Sequence, residues 1–459
     1  MVMSREKLSY RTTVKKLAGD TLTPILIFNR LKGQRKFLLE SSAKSEESGR
    51  YSFIGENPLK SYSGRGQKLI EKQFTTGKSY EYIGDLLTQL KRLMPRITEQ
   101  SAFPFTGGAV GYIGYGAAKM DSILDDELDL PDVNFQFYET IIIFDHLEDV
   151  VTIMHTAVNP EQEKPDLEAI AVEISTGIEL IDKDYHLSEF QSNVTKEKFE
   201  SQVQQALQHI QNGEVEQVVL SRQLAANFTG NPFSIYRKLR KQNPSPYMYY
   251  MEFDHHILIG ASPESVVSVT NHIVKVNPIA GTVSRGQTID EDEHRARKLL
   301  NDPKEIAEHN MLLDEARQEL TRICAPATVH VKNYMEIVRF EHVMHLMSNV
   351  EGKLSPVLHA LDALSVTFPT GTVTGKPKHL AMAIIDEIET THRNTYGGAI
   401  GYIGFNGNID FAITIRSMLV KNNKAFIQAG AGIVKDSIPS IEFDETEAKA
   451  KSLISFQGE

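Results

Sequence analysis

GGAVGYIGY, Gly107–Tyr115, returns with only conservative changes as GGAIGYIGF, Gly397–Phe405. Apolar and aromatic residues between the glycines read as strand, and glycine inside a strand marks a close approach of another backbone or of a ligand. So close a repeat reads as two similarly built halves or as two equivalent central strands. Chance likeness of two glycine- and aromatic-rich strands is the plainer alternative.

Working outward, Thr23–Phe28, Lys36–Glu40 and Tyr51–Gly55 are strand-like runs between polar turns. Tyr80–Met94 has helical spacing through Ile83, Leu86, Leu87 and Leu90. Thr140–Phe144 and Val150–His155 read as a hairpin, and Pro165–Leu180 as a helix. Ile181–Asn193 is polar and irregular, which puts a boundary between an N-terminal portion, 1–188, and a second portion, 189–459. An amphipathic helix follows through Phe199, Val203, Ala206, Leu207 and Ile210, stopped by Asn212-Gly213. Strands are expected at Gln217–Ala226, Ile257–Gly260, Ser265–Val269, Val329–Tyr334, Met335–Ser348, Asp410–Val420 and Ala425–Ile433. Helices are expected at Leu354–Leu364, at Lys378–Glu389 and from about Pro439, with a Gly/Pro-rich loop at Phe368–Lys378. Nothing here has the regular βαβ alternation of a doubly wound sheet. The fold class is α+β, with large antiparallel sheets flanked by helices.

The 459 residues carry 60 acidic and 49 basic side chains, a net charge of −11. That modest acidic excess argues against a nucleic-acid binder, which would show a basic face. The N-terminus is charged without an apolar core segment, and no apolar run approaches a membrane span, so no membrane partner and a cytoplasmic location are expected. The single cysteine, Cys324, excludes an internal disulfide or a multi-cysteine metal site.

Asp302–Leu320, DPKEIAEHNMLLDEARQEL, reads as one helix. Asp302 caps it, Pro303 suits the first position, and Glu305 completes a capping box. Glu308 shares a face with Glu305 and has no such explanation: it is either a solvated charge or a holder of a metal or substrate cation. Glu442, Glu445 and Lys449 likewise share one face of the terminal helix, where a solvated surface with a Glu445–Lys449 pair is the simpler reading. Two carboxylates from each helix, beside Arg416 and Lys449, suit a hard divalent ion with oxygen ligands, Mg²⁺ before zinc. His345 reads as core by spacing alone, and Glu264 as a turn residue between strands. GTVTGKPK, Gly371–Lys378, is not a phosphate loop: three residues rather than four separate its glycines, and Pro377 follows Lys376. Gly430 and Gly432 lie in a strand and open no helix, so no dinucleotide fold is implied, although paired glycines expose backbone N–H groups to a carboxylate.

Taken together, PIAGT (278–282), KEIAEHNMLLD (304–314), VMHLMSNVEG (343–352), FPTGTVTGKPK (368–378), YGGAIGYIGF (396–405), IRSM (415–418) and QAGAGIVKDSIPSIEFDETEAKAK (428–451) resemble the chorismate-utilising enzymes, most closely the large subunits of anthranilate synthases. The likeness is strong from about 190 onward and looser before it. It implies an interleaved fold in which Mg²⁺ bridges Glu308 and Glu445, with Glu305 and Glu442 around them, and the ring carboxylate of chorismate. It implies that Thr282, Thr374, Tyr396, Arg416, Gly430, Gly432 and Lys449 bind substrate, and that Glu264 is the general acid. Isochorismate and salicylate synthases of the family place a lysine where Gln217 stands, and aminodeoxychorismate synthases commonly place one at Ala280. Their absence favours direct attack by ammonia and release of anthranilate and pyruvate, with His345 positioning substrate or taking a proton. A catalytically dead amino-acid sensor is the rival of another class.

No glutaminase motif surrounds Cys324, so the resemblance implies a separate glutamine amidotransferase subunit as the ammonia source. LLES (38–41) and NPSPYM (243–248) resemble a tryptophan feedback site, with Glu40, Ser41, Pro246, Tyr247 and Met248 as contacts. The sequence departs from the family pattern at Glu315–Glu319, Lys376, Leu380 and Ala383.

Overall fold

The computed structural model describes residues 11–41, 49–95, 101–118, 124, 126–158, 165–178, 184–340 and 343–454. Among the described residues two sheets, one of 13 strands and one of 12, stack face to face, and every ladder between their strands is antiparallel. Period-two alternation builds the layers. Ile141 and Ile143 point between the sheets with Phe37, Tyr112, Tyr249, Ile400 and Leu419. Their neighbours Ile142 and Phe144 point outward, onto a helix layer that supplies Ile27, Ile174 and Phe233. The second sheet packs its outer face, through Ala109, Ile403 and Phe411, onto Leu313, Leu320 and Leu361. Each such buried side chain contributes roughly 1.5–3 kcal/mol.

Neither sheet belongs to one half of the sequence. The first runs from Arg11–Ala18 to Phe37–Glu40 on one side and from Tyr247–Glu252 to Gln217–Gly230 on the other, with Tyr185–Leu187 as its far edge. The two large parts meet at the ladder that sets Leu39 opposite Tyr249, and the edge strand, again from the N-terminal portion, sets Tyr185 opposite Gly230. In the second sheet the meeting ladder joins the two repeats: Gly108–Ile113 pairs with Ala399–Gly404, and Gly111 faces Gly401. The repeat is therefore a pair of equivalent central strands, hydrogen-bonded to each other. Glycine is required there because a Cβ on Gly401 would meet the Asp410 carbonyl oxygen at 1.9 Å, and one on Gly111 the Asn134 oxygen at 2.0 Å.

Five expected elements differ. Met335–Ser348 is not one strand: it covers the end of His330–Arg339 and the start of Val343–Lys353, which pair antiparallel. Thr23–Phe28 is no strand: Pro24–Arg30 is a helix, capped by Thr23 Oγ1 accepting from the Leu26 N–H at 3.1 Å. The isoleucines and phenylalanine that suggested a strand instead fill the outer core. Only Leu86–Leu93 of Tyr80–Met94 is helical, because Ser79–Ile83 extends a meander and Gly84, at φ 131°, turns the chain into the Asp85 cap. Leu354–Leu364 becomes helical only at Ala360, where His359 and Asp362 form a capping box. Asp410–Val420 is two strands, Ile409–Ile413 in the second sheet and Ser417–Lys421 in the first.

Candidate active site

That last break makes the site. The chain passes from one sheet to the other at two adjacent corners. Ile257–Ser262 of the first sheet leads through Pro263-Glu264 into Ser265–Thr270 of the second. Ile409–Ile413 returns to the first through Thr414–Arg416, with Arg416 in the left-handed region at φ 51°. The corners are bonded together: the Ile413 N–H donates to Glu264 O at 2.9 Å, the Ser262 hydroxyl to Ile413 O at 2.7 Å, and the Ala261 N–H to Arg416 O at 3.1 Å. An acid and a guanidinium therefore stand on a rigid seam between two sheets.

Glu264 Oε1 accepts from Thr372 Oγ1 at 3.0 Å, and Thr370 and Thr372 are linked at 3.0 Å through their hydroxyls. Burial pushes the Glu264 carboxyl up to about 7, against the Thr372 hydrogen bond and the Lys449 charge. Thr374, expected to touch substrate, is fully buried, and its hydroxyl donates to Thr370 O at 2.8 Å. The reason is local: Gly371–Thr374 forms one helical turn, which sends residue 374 back onto residue 370 and leaves Thr372 on the other face. Thr372 was missed because three threonines alternate in this loop with nothing in their types to separate them.

On the strand Lys424–Ile433, Gly430 leaves room for Tyr396, whose Oη would lie 2.6 Å from a Cβ, and Gly432 for the Gln217 amide, 2.8 Å from a Cβ. Lys449 of the terminal helix Pro439–Ile454 donates to Gly430 O at 2.9 Å and pairs with Glu445 at 2.6 Å. Arg416 bonds the Ser452 hydroxyl, and burial pulls its guanidinium down against the opposing fields of Tyr396 and Glu445. Burial pushes the Tyr396 phenol up to about 12, so it stays a donor. Across the site His345 faces Thr282 in register. Its Nδ1 lies 2.9 Å from Gly281 O and 3.1 Å from Thr282 Oγ1, while Nε2 has no hydrogen bond among the described residues. Burial, with Arg416 adding to it, keeps this imidazole below its usual value and hence neutral at pH 7.

The helix Pro303–Thr321 begins as expected, with Asp302 accepting from the Lys304 and Glu305 N–H groups. The capping box does not form, because the Asp302 N–H goes to Leu299 O. Glu305 turns toward Gly281, where a Cβ would meet its Oε2 at 2.8 Å. Burial and then Glu308 raise the Glu305 carboxyl; burial and Glu445 raise Glu442, opposed by Lys449 and Lys304. Among the described residues no three His, Cys, Asp or Glu side chains converge into a finished cage. The donor set nonetheless fits a hard divalent ion: two carboxylate pairs, each with unbalanced negative charge, suit an ion that takes few protein ligands and completes its shell with water and an anionic substrate.

The five residues expected at an inhibitor site all lie along the ladder where the first sheet's two parts meet, but not all on one face of it. Glu40 faces Met248 in register, and its Oε2 accepts from Tyr236 Oη at 2.5 Å and Arg240 Nε at 3.0 Å. Tyr247 points the other way, between the sheets, and donates to Asp410 at 3.1 Å. Ser41 and Pro246 are half-buried beside them.

A family model described as chorismate binding enzyme matches residues 34–455. Anthranilate synthase component 1 of Lactococcus lactis subsp. lactis (strain IL1403) is 42% identical over 454 residues, covering 96% of this chain and 98% of that one. The crystal structure of anthranilate synthase component I from Streptococcus pneumoniae TIGR4 is similar at a TM-score of 0.81 and 40% identity, covering 95% and 98% of the two chains. The menaquinone-specific isochorismate synthase of Escherichia coli, 19% identical, has the same fold at a TM-score of 0.74 over 98% of this chain and 94% of its own.

Proposed function

The chain belongs to the chorismate binding enzymes, and we infer that it is the member that converts chorismate and ammonia to anthranilate and pyruvate, the first step of tryptophan biosynthesis. The observation that carries the chemistry is Glu264: a carboxyl that keeps its proton to about pH 7, on the seam between the sheets, next to the corner that carries Arg416 and within the field of Lys449. A positioned acid with a pKa near the working pH contributes typically ~10²–10⁴-fold.

Tyr396, Arg416, Lys449 and the backbone N–H groups around Gly430 and Gly432 hold the substrate carboxylates. With the ring so anchored, ammonia adds at C2 and sheds its surplus N–H proton to solvent, while the Glu264 proton goes to the C4 hydroxyl, which leaves as water. Gln217, an amide, activates no water, which leaves ammonia as the nucleophile. His345 Nε2 takes the C2 proton as the bond from C3 to the enolpyruvyl oxygen breaks, and that proton goes on to the methylene carbon of the departing enolate to give pyruvate. Glu308 and Glu445, with Glu305 and Glu442, would hold Mg²⁺, which when bound polarises and anchors a substrate carboxylate. Ammonia would come from glutamine through a separate amidotransferase subunit. Residues 1–188 form a regulatory and structural portion around a tryptophan site at Glu40, Ser41, Pro246, Tyr247 and Met248. No helix among the described residues is long and apolar enough to cross a membrane, and a cytoplasmic location belongs to the same proposal.

Purified protein is given chorismate, MgCl₂ and ammonium chloride, with and without EDTA, and products are read by fluorescence and mass. Magnesium-dependent anthranilate and pyruvate, lost in Glu264→Gln, is the expected result. Isochorismate, salicylate or aminodeoxychorismate would overturn the reading of Gln217 and Ala280, and absence of turnover the enzyme assignment.

A further inference from the structure

Glu264 also lines a cavity of ≈ 50 Å³ that the reaction as described does not use. At the ~10–15 Å³ that one water requires, it has room for a few. Its lining includes Glu264, Thr370 and Thr372 together with Glu315, Glu319 and Lys378, and Glu315 lies against Gly371 between the two threonines, where a Cβ would meet its Oε2 at 3.1 Å. Asn277, also in the lining, has a buried Oδ1 with no partner in the protein among the described residues. Lys378 Nζ lies 2.6 Å from Glu319 and 3.7 Å from Glu315. Two carboxylates thus share one ammonium, and the Glu319 side chain is only 14% exposed. The other charge acting on Glu319 is Arg322. Burial raises the Glu319 carboxyl and Glu315 adds to it, against the opposing Lys378 and Arg322 charges, and such a half-buried carboxylate pair is a place where a proton is held. Both acids fall in the stretch Glu315–Glu319 that departs from the family pattern.

We propose that Glu319, paired with Lys378 and Glu315, returns the proton that Glu264 spends, through the cavity water and the hydroxyls of Thr370 and Thr372. This rests on the reading of Glu264 as the acid. Each turnover moves one proton from Glu264 to the departing C4 hydroxyl and leaves a carboxylate. Thr372 already donates to Glu264 Oε1, so its proton completes that transfer while it takes one from Thr370. Thr370 takes one from the cavity water, the water from Glu319, and Glu319 regains its proton from solvent. No oxidant or co-substrate is involved.

The test separates first and later turnovers at pH 7, with chorismate, MgCl₂ and ammonium chloride. Glu319→Gln keeps the size of the side chain and a hydrogen bond to Lys378 but carries no proton. With enzyme in excess, one turnover starts from a loaded Glu264 and its rate is expected within about twofold of wild type. With chorismate in excess, kcat is expected to fall about tenfold or more. Thr370→Val, which cuts the chain without touching Glu264, is expected to show the same split. Equal loss in both regimes would mean that the cluster only supports the fold, and unchanged kcat in both variants that Glu264 reloads from the substrate side; either overturns the proposal. A wild-type protein that makes no anthranilate would instead refute the functional reading.

Discussion

Thr372 Oγ1 donates to Glu264 Oε1 at 3.0 Å, so one oxygen of the acid is fixed and the other is left to face the substrate. Thr372→Val keeps the shape and removes the donor. kcat is expected to fall on the order of 10–100-fold, less than the ~10²–10⁴-fold of the acid itself, with KM for chorismate changed little. The reacting form is the protonated one, so kcat/KM should be level below about pH 7 and decline above it. The hydrogen bond from Thr372 holds the carboxyl down, so the valine variant should move that alkaline limb to higher pH. Thr374→Val, two residues on, should cost stability, about 1 kcal/mol for one buried hydrogen bond, and leave kcat nearly intact. Steady-state pH profiles and thermal melts of the two variants decide this; a larger kcat loss in Thr374→Val would reverse the assignment.

Asp410 shares the behaviour of Glu264 without sharing its chemistry. Burial pushes it up to about 7, opposed by the Tyr247 hydroxyl. For both groups the folded protein holds the proton more tightly than the unfolded chain. Their contribution to stability is therefore complete below the ordinary carboxylate range and is lost as pH rises toward 7. Asp410→Asn and Glu264→Gln should each stabilise the fold at pH 8, by on the order of 3–4 kcal/mol and read as a higher melting temperature, and by much less at pH 5. Equal shifts at both pH values would mean that neither burial penalty is real.

Local chemistry was legible in the sequence where a residue acts on its near neighbours. Asp302 caps its helix as read, and the repeated glycine strands proved equivalent because both are crossed closely by another backbone. What failed depends on distant partners. The apolar run after Thr23 has strand composition, yet the Thr23-Pro24 start and an outer-layer core made it a helix. The corner at Arg416 carries no glycine or proline, so the strand before it and the strand after it read as one. That corner puts Arg416 in the site, which only the pairing of two sheets could specify. The choice between Thr372 and Thr374 likewise rests on one helical turn that no composition announces.

Gly430 and Gly432 look alike in sequence and should behave differently. A Cβ on Gly430 would lie 2.8 Å from the Leu220 carbonyl oxygen and 2.6 Å from Tyr396 Oη; the first is backbone and cannot yield cheaply. On Gly432 the only close group is the end of Gln217, which can rotate away. Gly430→Ala is expected to lower the melting temperature and raise KM for chorismate at least tenfold as Tyr396 is displaced. Gly432→Ala should fold normally with a smaller rise in KM. Comparable destabilisation in the two would show that the strand, not the Tyr396 position, sets the cost.

Lys449 and Glu445 are bonded at 2.6 Å on one helix face, and the proposed roles pull them to different ligands. Lys449→Met removes a cation that faces both Glu264 and the substrate. A hydrogen bond to a charged group is worth about 1.5–3 kcal/mol, so KM for chorismate should rise about 10–100-fold at saturating Mg²⁺. The alkaline limb should also move up, since the Lys449 charge helps hold Glu264 down. Glu445→Gln keeps the lysine and removes a hard anionic oxygen. Its expected effect is on the metal: the Mg²⁺ concentration for half-maximal rate should rise by at least the ~10–100-fold that loss of an outer partner of a ligand costs. Glu308→Gln, on the other helix, should match it, because an ion shared between the two helices depends on both. Calorimetric titration of Mg²⁺ into each variant with chorismate present and ammonia absent reads the same loss without turnover. If Glu445→Gln and Glu308→Gln bind Mg²⁺ like wild type, the four carboxylates are not its seat, and the charge they share with Lys304 and Lys449 is an electrostatic feature of the helix faces alone.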